Sequence, residues 1–154
     1  MARLVFALML VLVLVTPSLG QQSLVGTYKV ISEIVEVDGT PSQNSAKPRT
    51  GYLVLTPTRA IAFSTTGERT FGTSVAEKAA LLDSMAGWAG TYRVEGDKLI
   101  TTAEVSYTEN LNGKPMVNTC QLSGNRLTTT SEPMPYPREP SKTMIRRAVY
   151  EKIE

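Results

Sequence analysis

Two adjacent arginines, in Met144-Ile-Arg-Arg-Ala-Val-Tyr150, carry the sharpest chemistry in this chain of 154 residues. Neighbouring positions of a strand point to opposite faces, so a regular strand here sends one guanidinium, from Arg146 or Arg147, to the interior side. A buried arginine is costly unless it meets a carboxylate, water at an open mouth, or an anionic ligand. Two readings stay open: an arginine solvated at a rim or paired with a Glu, and a clamp for the carboxylate or phosphate of an otherwise apolar ligand. Glu33 and Glu104 are the strand carboxylates suited to the partner's role. The chain has no histidine and one cysteine, Cys120. Ser-His-Asp and Cys-His catalysis within one chain are therefore excluded, and the usual zinc and haem ligands are largely missing. Cys120, in Pro115-Met-Val-Asn-Thr-Cys-Gln-Leu122, reads as a small buried apolar residue rather than a nucleophile. No phosphate loop, EF-hand or nucleophile elbow occurs, and no cofactor is expected.

The elements that must position these groups are strands. Segments rich in Val, Ile, Leu, Thr and Tyr, separated by turn residues, predict strands over 25–37, 50–56, 59–64, 90–95, 98–107, 115–122, 126–131 and 142–151. Asp38-Gly39, Gly96-Asp97 and Ser123-Gly-Asn125 supply residues that accept positive φ in short hairpins. Pro41 to Pro48 and the proline-rich Glu132 to Pro140 read as loops. One helix is expected, from Ser74 to about Ala86. Ser74-Val-Ala-Glu77 forms a capping-box pattern, and Val75, Ala79, Leu82 and Ala86 share a stripe. That helix would either close one end of a barrel or pack on its outside.

The N-terminus has the order of a secretory signal: Met-Ala-Arg, twelve apolar residues from Leu4 to Val15, then small residues at Ser18 and Gly20. Twelve helical residues span about 18 Å, too little for a hydrocarbon core of about 30 Å. The expectation is cleavage after Gly20, with no stable membrane insertion afterwards, a secreted or periplasmic product, and one domain over 21–154. Losing Arg3 leaves fifteen basic against fourteen acidic residues, a charge of +1. That balance argues against nucleic acid as a partner, which needs clustered Lys and Arg.

Leu24-Val-Gly-Thr-Tyr28, Gly51-Tyr-Leu-Val-Leu-Thr-Pro57, Gly90-Thr-Tyr-Arg-Val-Glu-Gly96 and Gly124-Asn-Arg-Leu-Thr-Thr-Thr130, in this order and spacing, resemble the lipocalin-like domain family of calycin-type barrels. Gly26-Thr27-Tyr28 stands where lipocalins carry Gly-X-Trp, and Lys152 where their last strand carries a basic partner that packs across the barrel floor. The resemblance implies an all-β, eight-stranded antiparallel up-and-down barrel with the helix inserted between the third and fourth predicted strands. It also implies that Tyr28 faces inward. Strict alternation then turns Val30, Ser32 and Ile34 inward and Glu33 and Glu104 outward, and the same parity along the last strand selects Arg146. The candidate ligand-binding residues are Tyr28, Phe63, Tyr92, Val105, Tyr107, Met116 and Arg146. The function expected is an exported carrier of a small apolar molecule, with an anionic group accepted if Arg146 acts as the clamp. Two alternatives remain: a cofactor-free isomerase or cyclase acting through Tyr107, Tyr92, Glu104 or Arg146, and a solid barrel that docks partners through the loop 133–140.

Overall fold

The computed structural model describes residues 20–42 and 47–154. The expected signal segment before Gly20 and the loop residues 43–46 lie outside the described residues. Ten strands follow in chain order: β1 Gly26–Val37, β2 Thr40–Pro41, β3 Arg49–Leu55, β4 Arg59–Thr66, β5 Met85–Glu95, β6 Lys98–Ser106, β7 Pro115–Ser123, β8 Arg126–Ser131, β9 Met134–Tyr136 and β10 Glu139–Lys152. The helix α1, Val75–Asp83, stands between β4 and β5.

Eight of these strands form a closed antiparallel barrel. β1 pairs with β3, each strand then pairs with its successor through β8, β8 pairs with β10, and β10 returns to β1. Closure satisfies the backbone groups that an open sheet would leave at its edges. The short β2 and β9 extend the pairing beside β1 and β10. The Asp38-Gly39 turn joins Val37 to Thr40 with both residues at positive φ, 48° and 78°. That is the mirror-image turn whose twist matches paired strands.

The interior has two halves. At one end Leu24, Tyr28, Val30, Leu53, Leu55, Tyr92, Leu99, Leu127 and Tyr150 pack into a continuous core. The Tyr28 hydroxyl donates to Leu24 O at 2.9 Å, and the Lys152 ammonium donates to Val25 O at 2.7 Å while lying 5.9 Å from the Tyr28 ring centroid. This floor explains Gly26: a Cβ there would stand 2.4 Å from both Lys152 Cε and Glu154 O. Tyr92 belongs to the same layer, and its hydroxyl donates to Thr56 O at 2.8 Å. Cys120 is buried in this core, and burial, with the Asp97 charge, pushes its thiol pKa up. It is held as a neutral apolar residue.

Several boundaries differ from the sequence expectation. The helix stops at Asp83 instead of running to Ala86: the Ser84 N–H makes the last helical bond, to Ala80 O, and the Ser84 hydroxyl donates to Leu81 O. Its carbonyl then accepts from Thr66 N–H, so β5 starts at Met85, five residues before the predicted strand. The capping box is present, with Ser74 Oγ accepting from Glu77 N–H and the Glu77 carboxylate accepting from Ser74 N–H. The expected apolar stripe buries nothing: Val75 is 86 % exposed and Leu82 53 %. The segment predicted as the loop 132–140 contains β9, which tolerates Pro135 because it pairs on one side only, with β10.

Candidate functional site

The other half of the barrel is hollow. A cavity of about 450 Å³ opens between α1, the 3₁₀ turn Glu109–Leu111 and the β9 segment. Its walls are apolar for the most part: Met85, Trp88, Met116, Met134 and Met144 come from the strands, and Leu82 and Leu111 from the mouth. Arg138 closes part of that mouth, donating to Asp83 O at 2.7 Å at the end of α1.

Apart from Arg138 and Asp83 at the mouth, the charged residues that line the cavity form one cluster. Glu33 on β1 accepts from Arg146 Nη2 of β10 at 2.5 Å and faces Arg49 Nε of β3 at 3.2 Å. Arg146 Nη2 also donates to the Tyr150 hydroxyl at 2.7 Å, two positions further along the same face of β10, and Arg49 Nη1 to Ser64 Oγ at 2.8 Å. The Arg146 backbone N–H is held by Ser131 Oγ at 2.9 Å. The cluster sets two guanidiniums against one carboxylate. Burial pushes the Glu33 carboxyl up, but the neighbouring Arg146 and Arg49 outweigh burial and hold it below the usual carboxylate value. Burial disfavours the charge on Arg146, yet Tyr150 and Glu33 more than offset this and raise its pKa. Arg49 is lowered, burial dominating over the attraction of Glu33. All three groups remain ionised at neutral pH.

A bulge in β1 explains why Glu33 is there. Val30 pairs with Tyr150 and Ser32 with Val149, leaving Ile31 unmatched. One extra residue exchanges the faces of everything beyond it. Tyr28 and Val30 point into the barrel below the bulge, whereas above it Glu33 and Val35 line the cavity and Ile34 is 44 % exposed. The expectation that Ser32 and Ile34 face inward and Glu33 outward is therefore overturned. The second bulge is in β6: Gly90 pairs with Ala103 and Ala89 with Val105, leaving Glu104 unmatched. Gly90 is required beside it, since a Cβ would stand 2.0 Å from Thr102 O. After this bulge Ser106 is buried and Val105 is 62 % exposed.

The seven candidates fall in three places. Tyr107, Met116 and Arg146 border the cavity. Tyr28 and Tyr92 lie in the packed floor, and Val105 and Phe63 stand on the outer wall, Phe63 opposite Tyr52 across the β3–β4 ladder. Arg147 points out of the barrel and pairs with Glu36, and Glu104 pairs with Arg59 on the outer surface. Reading the sequence missed Arg49 and Trp88 because both fell just outside predicted strands. In β3 the buried residues Gly51, Leu53 and Leu55 are odd-numbered, so starting that strand one residue earlier turns Arg49 inward. The apolar doublet Val30-Ile31 was the sequence trace of the β1 bulge.

A sequence model of the family described as lipocalin-like domain matches residues 25–153 of this chain. No curated protein matches. Among solved structures, a crystal structure of a mutant of the fluorescent protein UnaG is similar, with 12 % identity, a TM-score of 0.40, and coverage of 86 % of this chain and 98 % of that one.

Proposed function

We propose, since this chain belongs to the lipocalin-like domain family, that its barrel is an exported carrier that binds a small apolar molecule bearing one anionic group. The family and the cavity support the binding of a small apolar molecule. The observation that carries the finer reading is the Glu33–Arg49–Arg146 cluster inside a mostly apolar cavity. A guanidinium has five N–H donors, and the contacts described engage Nη2 of Arg146 and Nε and Nη1 of Arg49. The remaining donors suit a carboxylate at the inner end, with the apolar body running toward Tyr107 and the mouth. A single negative charge balances the cluster, two positive against two negative. Export is supported by the apolar N-terminal segment and the small residues ending at Gly20.

The test uses trans-parinaric acid and its methyl ester, read by fluorescence against protein lacking residues 1–20. The acid is expected to saturate at one per chain and to bind at least about tenfold more tightly than the ester, as a hydrogen bond to a charged group warrants. Arg49→Met should remove most of that difference while leaving the ester unchanged. Absence of saturable binding by either probe overturns the carrier reading, and equal binding of both overturns the anionic group.

A further inference from the structure

We infer that the body of the ligand is a flat, conjugated or aromatic skeleton rather than a saturated chain; this rests on the carrier reading above and specifies the class of molecule carried. All four methionines beyond residue 20, Met85, Met116, Met134 and Met144, border the cavity, together with Trp88, the one tryptophan of the chain. They come from β5, β7, β9 and β10, with Met134 opposite Met144 in the β9–β10 ladder, so the thioethers spread along the β5-to-β10 side of the cavity. The packed half of the same barrel has the opposite composition. Its core is built from leucine, valine, tyrosine, alanine and the single cysteine, Cys120, with no methionine. Among the strand residues that line the cavity, Val35 is the one branched aliphatic; Leu82 and Leu111 belong to the helix and the 3₁₀ turn at the mouth.

The contrast has a chemical meaning. Branched aliphatic side chains have few rotamers and make stiff, well-packed walls, which suits a solid core and would equally suit a saturated hydrocarbon. Methionine has an unbranched, adaptable side chain and a polarisable sulfur that makes favourable contacts with the edge of a π-system about 5 Å away. A saturated chain gains nothing from sulfur that it would not gain from leucine. A π-system gains those contacts, and the Trp88 indole adds a flat face for offset stacking. The charged cluster fixes the other end of the molecule, so the class is a monocarboxylate with an unsaturated or aromatic body.

The experiment compares trans-parinaric acid, a conjugated tetraene, with stearic acid, saturated and of equal chain length, the latter by competition. The native protein should bind the conjugated acid about tenfold more tightly, which two sulfur–π contacts are enough to produce. This runs against simple hydrophobicity, since the saturated acid is the more apolar of the two. The quadruple variant Met85→Leu, Met116→Leu, Met134→Leu, Met144→Leu conserves volume, and its preference for the conjugated acid should fall to about twofold or less. Equal affinities in the native protein overturn the inference without the variant, and leave the carrier reading standing. A preference that survives intact in the folded quadruple variant also overturns it. Failure of both acids to bind is the separate result that removes the carrier reading and this inference together.

Discussion

Glu33 is the side chain on which the site turns, because it holds two arginines that would otherwise repel each other inside the barrel. Its side chain is 5 % exposed and that of Arg146 27 %. Removing one partner of such a buried group leaves uncompensated charge, so Glu33→Gln is expected to lower stability at neutral pH by about 3 kcal/mol, measured from urea unfolding. The pH dependence has a definite sign. The Glu33 carboxyl is held below its ordinary value of 4.5, so the folded state favours the ionised form. Its contribution is complete above 4.5 and disappears as pH falls below that value through the lower folded-state value. The gap between native protein and Glu33→Gln should therefore narrow steadily from about pH 5 to about pH 3. A gap that stays constant over that window would mean that folding leaves the Glu33 carboxyl at its ordinary value.

Strands carry such residues into place only in the correct phase, and two single-residue bulges set that phase here. Turn residues, strand order and the Ser74–Glu77 cap were all readable from local chemistry, since each depends on groups within a few positions of one another. The bulges at Ile31 and Glu104 depend on the register of β1 with β10 and of β5 with β6, partners far away in the chain for β1. This is why Arg146 was assigned inward from its own strand while its carboxylate partner was assigned outward. The helix rests at the mouth with none of its residues buried. Ser74→Ala, which removes the hydroxyl that accepts the Glu77 N–H, should cost about 1 kcal/mol of local helix stability. Hydrogen exchange is expected to show faster exchange over α1 with β1 and β10 unchanged, because local opening there breaks no core contact.

The barrel as a whole divides its stability and its binding between opposite ends. The closed end, with Tyr28, Leu127 and Lys152, excludes water and supplies the packing; the open end keeps room for a guest. Truncation should therefore cost very different amounts at the two ends. Leu127→Ala, at a fully buried position, is expected to lose about 3 kcal/mol, whereas Met144→Ala, whose side chain already faces a hollow, should lose less than about 1 kcal/mol. Comparable losses at both positions, in denaturant unfolding, would show that the upper half packs as tightly as the floor.

Alternating β-rich segments, glycine-bearing turns and a single capped helix were enough to specify a small all-β barrel, because side-chain period and turn chemistry are local properties. The missing histidine likewise removed whole classes of catalysis from the linear chain alone. Which side chains share the cavity was settled by pairing between distant strands. Each unmatched residue exchanged inside for outside along the rest of its strand, bringing Glu33 between Arg49 and Arg146 and turning Val105 outward, while the unbroken β3–β4 ladder set Phe63 on the outer wall. Register is a relation between two segments, and the residue types of one segment do not state it.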